Sequence, residues 1–316
     1  VFTKAYGLAD VARQAPATPD TVFRAGSISK SIVGIAVMML VEEGKLDLDA
    51  KLAELAPEIR FRNAWEASDP VRVAHLMEHT TGFDDLRFSQ YLIDGAGMSL
   101  REAIEVYGPY ESRWRPGTWV AYCNTGPVIA GYLVEKASGL SWAEFTRTRI
   151  FEPLGMTHSI VQPQMPAELL PFVSKSYTYV DGAFQPFPDY LVQPAGLPSG
   201  FHLTSVTNMA RFMIARLEGG FYGDASTEIR ILEEDTARQM LTTLYTPDPR
   251  LRGTAYGLFD FSDNGQWVLG HDGYAPVTFT ELMLLPDQHL GVYVVYNSFG
   301  AREGGLATQH IGFQRV

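Results

Sequence analysis

Apolar and polar positions divide the chain into three textures. Short apolar-rich stretches at residues 1–7 and 21–24 read as strands, separated by a Pro-containing connection at 15–19. Residues 32–41 are almost wholly apolar and give a helix pattern that begins just after Arg24-Ala25-Gly26 and stops at Gly44, behind Glu42-Glu43. From about 47 to 175 the pattern is mostly helical, broken at Pro57, Thr80-Thr81-Gly82, Pro109, Pro116-Gly117 and Pro153-Leu154-Gly155. Aromatic, Pro-rich loops follow over 177–200, then a helical stretch over 206–217. Strands are expected at 267–270, 277–285 and 290–296, the last two joined by Pro286-Asp287-Gln288-His289 as a hairpin turn. No internal repeat, low-complexity tract or long linker interrupts this order. Strands at both ends with helices between them predict an α+β fold in a single catalytic domain, 1–316. Its sheet lobe would comprise about 1–46 and 176–316, and its helical lobe about 47–175.

The apolar helix carries chemistry at its start. Ser27-Ile28-Ser29-Lys30 places a hydroxyl and an ammonium on one face of an exposed helix start, because residues three apart are neighbours on a helix. A serine is a poor nucleophile at neutral pH, and a lysine desolvated by apolar neighbours can lose its proton and act as the base. Unpaired N–H groups and the positive dipole end there favour developing negative charge. The simpler role for the same residues is an N-cap serine with a solvated first-turn lysine.

Composition excludes several alternatives. Apolar residues make up 46% and charged residues 19% of 316, the balance of a globular chain. A net charge of −11 leaves no basic stripe for a phosphate backbone, so no nucleic-acid partner is expected. The 32–41 run is too short for a membrane span, which takes about 20 residues. One cysteine, Cys123, rules out an internal disulfide and a multi-cysteine zinc site. The chain opens on Val1 with no leader in view, so compartment is weakly determined.

Two further segments supply what Ser27 and Lys30 lack. Tyr122-Cys123-Asn124 follows the turn at Arg115-Pro116-Gly117, and in extended chain Tyr122 and Asn124 face the same side. A phenol there can pass a proton to a leaving group, and an amide can orient Lys30 and hold a substrate carbonyl. Gly270-His271-Asp272-Gly273 is expected to finish a strand before the last hairpin, with glycines that let a substrate backbone approach. The N–H of Tyr274 can then pair with that of Ser27 as an oxyanion hole. Taken singly, a hydrogen-bonded buried tyrosine and a tight turn with an exposed histidine account for these segments.

Together the motifs resemble the serine β-lactamase and penicillin-recognising superfamily, especially its class C-like branch with esterases, D-aminopeptidases and DD-peptidases. The resemblance runs through Gly7-Leu8-Ala9-Asp10, 21–30, Leu76-Met77-Glu78-His79-Thr80-Thr81-Gly82, Tyr122-Cys123-Asn124-Thr125-Gly126, Phe151-Glu152-Pro153-Leu154-Gly155-Met156 and His271-Asp272-Gly273. It implies a β-lactamase/transpeptidase-like fold, an antiparallel sheet flanked by helices with a largely helical insertion. It also implies Ser27 as nucleophile, Lys30 and Tyr122 as coupled proton carriers, Asn124 as a positioning group, and His271 to Gly273 as a substrate-binding strand edge. An exported or periplasmic location follows from the same resemblance. By the family pattern the chain starts after the first helix and strand and stops at Val316, where a last helix is expected.

Two departures bear on substrate. The third motif of β-lactamases usually begins with lysine, whereas His271 is mostly neutral at pH 7. No Glu-x-x-Leu-Asn segment is present for a class A deacylating glutamate. The expectation is therefore a serine hydrolase working through an acyl-enzyme on small esters or D-amino-acid-type amides, ahead of a true β-lactamase or DD-carboxypeptidase. No metal or organic cofactor is required, and pocket walls are expected from loops such as 83–97 and 177–200. Competing constellations exist. His75-Leu76-Met77-Glu78-His79 matches H-x-x-E-H of inverted zinc metallopeptidases. Gly139-Leu140-Ser141-Trp142-Ala143 misses a nucleophile elbow by one glycine, and Ser141 with Glu144 reads as a capping box. Cys123 should face the core. A non-catalytic sensor of peptidoglycan or β-lactams is the alternative from another class.

Overall fold

The computed structural model describes residues 1–85, 98–162, 165–188, 196–223, 229–275 and 277–298. The strand expected at 1–7 begins later, at Leu8–Asp10, and pairs back with Ala15–Pro16. Val1, Phe2 and Tyr6 are exposed, so that stretch has no buried face to hold it in a sheet. The expected strand at 21–24 contracts to β1, Phe23–Arg24. A single 3₁₀ turn, Gly26–Ile28, then leads into α1, Ser29–Glu42. All of α1 from Ser29 to Leu40 is buried, as a helix apolar around its whole circumference must be. Its start is therefore not the exposed one that the sequence suggested.

The 47–175 region holds α2, Val73–Glu78, and α3, Thr125–Ser138. It also contains a parallel strand pair, Phe61–Arg62 with Tyr110–Glu111, which is too short to leave a periodic signal. Beyond it come α4, Leu197–Gly200, and β2, Leu203–Thr204, which pairs antiparallel with β1. The helix α5, Val206–Leu217, occupies the residues expected of it. Loop residues 86–97 and 189–195, which fall within the expected pocket walls, lie outside the described residues.

The principal sheet is antiparallel, in the order β3 (Thr254–Ala255), β4 (Leu258–Asp260), β5 (Leu269–Ala275), β6 (Thr278–Leu285) and β7 (Leu290–Tyr296). The strand that Gly270-His271-Asp272-Gly273 is expected to finish runs on to Ala275, with Gly270 opposite Met283 and Gly273 opposite Thr280. Two glycines erase the side-chain alternation by which a strand is read from sequence. The last hairpin turns at Pro286–Gln288, with His289 left-handed at φ 49°. One hydrophobic core joins α1, α2, α3, α5 and the inner faces of β4 to β6. The helix α1 sits at its centre, packed by α2, α3 and α4.

Candidate active site

The start of α1 and the middle of β5 are pressed together, and glycine permits it on both sides. Gly26 has φ +56°, and a Cβ added to it would stand 2.6 Å from the Tyr274 nitrogen. A Cβ on Gly273 would collide with the Ala25 carbonyl and Thr280 Oγ1. Thr280 Oγ1 donates to the Ala25 carbonyl at 2.8 Å, tying β6 to the same turn. The Gly273–Tyr274 backbone is thereby held against the turn that carries Ser27. Ser27 is not an N-cap, since Ala25 and Ile28 hold those positions. Its oxygen instead meets Lys30 Nζ at 3.0 Å and the Tyr122 hydroxyl, which donates to it, at 2.7 Å.

Lys30 is 1% exposed and has three oxygen partners: Ser27 Oγ, Asn124 Oδ1 at 2.8 Å and the Ser199 carbonyl at 2.6 Å. Burial lowers its pKa from 10.5 to about 7, against the opposing pull of Asp85 and Cys123. At neutral pH a large fraction of the amine is therefore uncharged. A neutral amine has two N–H bonds and one lone pair. The Asn124 Oδ1 and Ser199 carbonyl oxygens only accept, so they take both N–H bonds and leave the lone pair facing the Ser27 hydroxyl. Asp85 settles which way the Asn124 amide is turned. Its carboxylate accepts from the Asn124 backbone N–H at 2.7 Å and from Nδ2 at 3.3 Å, which directs Oδ1 to Lys30.

Tyr122 and Asn124 stand on the Ser27 side, while Cys123 between them is buried in the core. Burial pushes the Cys123 thiol up to about 11, so it is no thiolate nucleophile. The Tyr122 ring is 43% exposed but firmly backed. His79 lies 4.6 Å from it, His271 5.9 Å and Phe259 6.2 Å between ring centroids, and Lys30 Nζ is 4.8 Å from its centre. His79 Nδ1 in turn accepts from the Cys123 backbone N–H at 3.3 Å.

His271 corrects an expectation. Residues 271, 273 and 275 of β5 face inward and 272 and 274 outward, so the imidazole is buried behind Tyr122 and Phe259 rather than set along an open substrate edge. Burial first, then Lys30, brings its pKa down to about 3. Nδ1 donates to the Asp272 carbonyl at 2.6 Å, so Nε2 carries the lone pair, and it has no partner among the described residues. The parts of the motif at the edge are the Gly273–Tyr274 backbone and the Tyr274 side chain, which is 57% exposed.

The rival constellations are arranged differently. His79 falls after the end of α2 in a left-handed conformation, φ 60°, so it is not one helical turn from His75 on a common face. His75 Nδ1 accepts from Arg72 N–H and its ring lies beside Gly117, whereas Glu78 accepts from Thr80 Oγ1 at 2.9 Å. Among the described residues no three His, Cys, Asp or Glu side chains are grouped to hold a metal ion. Ser141 caps the helix Trp142–Thr146, accepting from the Glu144 N–H at 3.2 Å. A separate groove of about 910 Å³ between Phe61 and Pro109 contains no comparable pairing of nucleophile and base. Asp85 and Ser199 escaped the sequence reading. Asp85 is one acid among 36, and Ser199 contributes a main-chain carbonyl that no side-chain pattern reveals.

A strand backbone laid against the first turn of a buried central helix defines the class, the β-lactamase/transpeptidase-like fold. The chain belongs to the Beta-lactamase family, whose model matches residues 1–314. It is 30% identical over 298 residues to penicillin-binding protein 4 of Amycolatopsis lactamdurans, covering 92% of this chain and 74% of that protein. Esterase EstB of Burkholderia gladioli is 32% identical over 173 residues, 49% of this chain and 42% of the esterase. The octameric penicillin-binding protein homologue of Pyrococcus abyssi superposes with a TM-score of 0.76 at 29% identity, over 94% of this chain and 67% of that one. The matches span about half or less of several other curated relatives. One of the similar proteins is named an esterase, and structural neighbours at 22–23% identity are named a D-amino acid amidase and a D-stereospecific amidohydrolase; these last share the fold. No helix among the described residues is long and apolar enough to cross a membrane.

Proposed function

We propose that the protein is a serine hydrolase that forms an acyl-enzyme at Ser27 with small esters or D-amino-acid-type amides. The observation that carries this reading is the buried Lys30 Nζ, set between two acceptor-only oxygens and the Ser27 Oγ. The Ser27 proton passes to Lys30 Nζ as Oγ bonds the substrate carbonyl carbon, and the carbonyl electron pair moves onto oxygen. Backbone N–H groups of Ser27 and Tyr274 receive that oxyanion. As the pair returns, the bond to the leaving group breaks, Tyr122 supplies the leaving group's proton, and Lys30 re-protonates Tyr122. Water then repeats the sequence on the ester of Ser27. Lys30 and Tyr122 share protons, so the pair titrates as a unit.

Esters rank ahead of β-lactams because the buried neutral His271 offers no charge for a β-lactam carboxylate. The penicillin-binding relative at 30% identity favours a second reading, a DD-peptidase that penicillins acylate. An exported location remains part of the proposal. Ser27→Ala should abolish covalent labelling by a fluorophosphonate or penicillin probe, while Ser141→Ala leaves it intact. Peptide mass spectrometry reads the outcome, and a labelled Ser141 peptide overturns the assignment. Rates with an aryl ester, a D-alanyl amide and a chromogenic cephalosporin rank the substrates.

A further inference from the structure

The turn after α2 places a carboxylate beside the Lys30–Asn124 pair, and the surrounding bonds look built for that placement. Phe83 is buried as an anchor, and its N–H donates to Thr81 Oγ1. Ser112 Oγ donates to the Thr81 carbonyl at 2.8 Å and Arg113 N–H to the Gly82 carbonyl at 2.9 Å. Next along, the Arg113 guanidinium grips both oxygens of Asp84 at 2.6 to 3.1 Å, and the Asp84 carbonyl accepts from Thr125 Oγ1 at 2.9 Å. The chain is thus fixed on both sides immediately before Asp85. Asp85 then accepts from both the main chain and the side chain of Asn124 at the start of α3.

We propose that Asp85 is a positioning residue for the acylation step, clamping the Asn124 amide with its oxygen toward Lys30 and placing a carboxylate beside that pair. The proposal rests on the acyl-enzyme reading above. Its logic is that of donors and acceptors. An Asn124 amide turned the other way would point N–H bonds at the Lys30 N–H bonds, and the lone pair would no longer be directed to Ser27. The Asp85 carboxylate opposes that flip, because Nδ2 donates to it and the reversed amide would set its oxygen against the carboxylate. The charge acts separately. Lys30 faces Tyr122 and Cys123 from the segment leading into α3, His79 from the end of α2, His271 from β5 and the Ser199 carbonyl from α4. His79 and His271 are held neutral by burial, and the thiol of Cys123 is pushed up to about 11. Asp84 is matched by Arg113, and among the described residues Asp85 is the acid whose charge opposes the desolvation of Lys30.

Asp85→Asn tests both parts, with Asp85→Glu as the conservative variant. The chain has six lysines, so ¹³Cε-lysine labelling gives a small set of signals, and Lys30 is the one lost in Lys30→Arg. In Asp85→Asn the Lys30 signal should titrate lower than in the wild type by about half a pH unit or more, and Asp85→Glu should return most of the way. With p-nitrophenyl acetate, the acid limb of kcat/KM should move down by the same amount. Asp85→Asn keeps one acceptor oxygen for the two Asn124 donors, so its plateau should fall by less than about tenfold, while Asp85→Leu, which keeps none, should lose about 10- to 100-fold from the misdirected amide. A folded Asp85→Asn protein whose Lys30 titrates as in wild type, or higher, overturns the proposal. If the wild type neither cleaves the ester nor is labelled at Ser27, the acyl-enzyme reading falls, while the lysine titration still decides whether Asp85 controls Lys30.

Discussion

Lys30 in α1 and Glu78 at the end of α2 are both buried, and burial brings each to titrate at about 7. By pKa alone the two are equal candidates for acid–base chemistry. Their surroundings differ. The three partners of Lys30 include Ser27 Oγ, which touches the half-open Tyr122, so a proton on Lys30 has a bonded path to the cleft. The Glu78 carboxyl bonds Thr80 Oγ1, itself wholly buried, and lies 6% exposed in the core between α2 and β3. A displaced pKa marks a site only when the group is wired to a nucleophile and to solvent; otherwise it records a stability penalty.

Breaking the comparison at its strong end gives the largest effect. Lys30→Met should lower kcat/KM for an aryl ester by about 10³-fold or more, because it removes the base acting on Ser27. Glu78→Gln should stay within about threefold of wild type, since Gln keeps an acceptor for Thr80. Its effect belongs to stability. The carboxyl pKa is raised from 4.5 to about 7 in the folded chain, so between those values the folded state holds a proton that the unfolded state has lost. Wild-type stability therefore falls as pH rises from 4.5 to 7, and Glu78→Gln escapes that fall. Thermal melts should show the variant more stable at pH 8 by on the order of 1 to 3 kcal/mol, with the difference vanishing near pH 4. A large activity loss in Glu78→Gln would erase the contrast.

Tyr122→Phe comes next. It keeps the ring against His79, Phe259 and His271 and removes only the hydroxyl that donates to Ser27. About 10²-fold in kcat is expected, and more for amides than for activated aryl esters, whose leaving groups need no proton. Equal losses on both substrates would deny Tyr122 the role of acid.

The sequence disclosed the reacting groups better than their setting. Helix spacing pairs Ser27 with Lys30 and strand alternation pairs Tyr122 with Asn124, but their roles come from the set of ordered motifs and the family resemblance; the structure joins all four in a chain of hydrogen bonds. The element spans of α5 and β7 were equally legible from long apolar periodicity. The burial of Lys30 was not, because depth depends on α3 and α4 closing over α1. The strand at 270–273 is expected from the sequence, but its two glycines hide which side each residue faces, so the run on to Ala275 and the inward turn of His271 are missed there. Asp85 and the Ser199 carbonyl act across 39 and 169 residues of chain, a separation no local pattern encodes.

A gentler test uses the histidines. His75 is lowered to about 4 and His202 to about 3, both mainly by burial. A histidine with a depressed folded pKa binds its proton only in the unfolded state between the folded value and 6.5, so stability is lost as pH falls below 6.5. His202 stacks on Phe151 at 5.1 Å, and neither of its nitrogens has a partner among the described residues. His202→Phe should preserve the stack and flatten the acid loss by up to about 1.4 kcal/mol per pH unit. Urea titrations at pH 5 and pH 7 measure it; an unchanged slope would mean His202 is already solvated.

The smallest effect is expected at His271, and its direction carries the information. His271→Lys offers a charge to a β-lactam carboxylate, a bond worth roughly 1.5 to 3 kcal/mol if it forms fully. The structure works against full formation. The imidazole sits behind Tyr122 and Phe259, and Lys30 already disfavours a charge there. A second ammonium at this depth must reach past the phenol to the cleft or remain neutral. The ratio of cephalosporin to ester acylation should therefore rise by less than about tenfold, with a lower melting temperature. A ratio that stays flat while wild type already prefers the cephalosporin would place β-lactams first and remove the reason for ranking esters ahead.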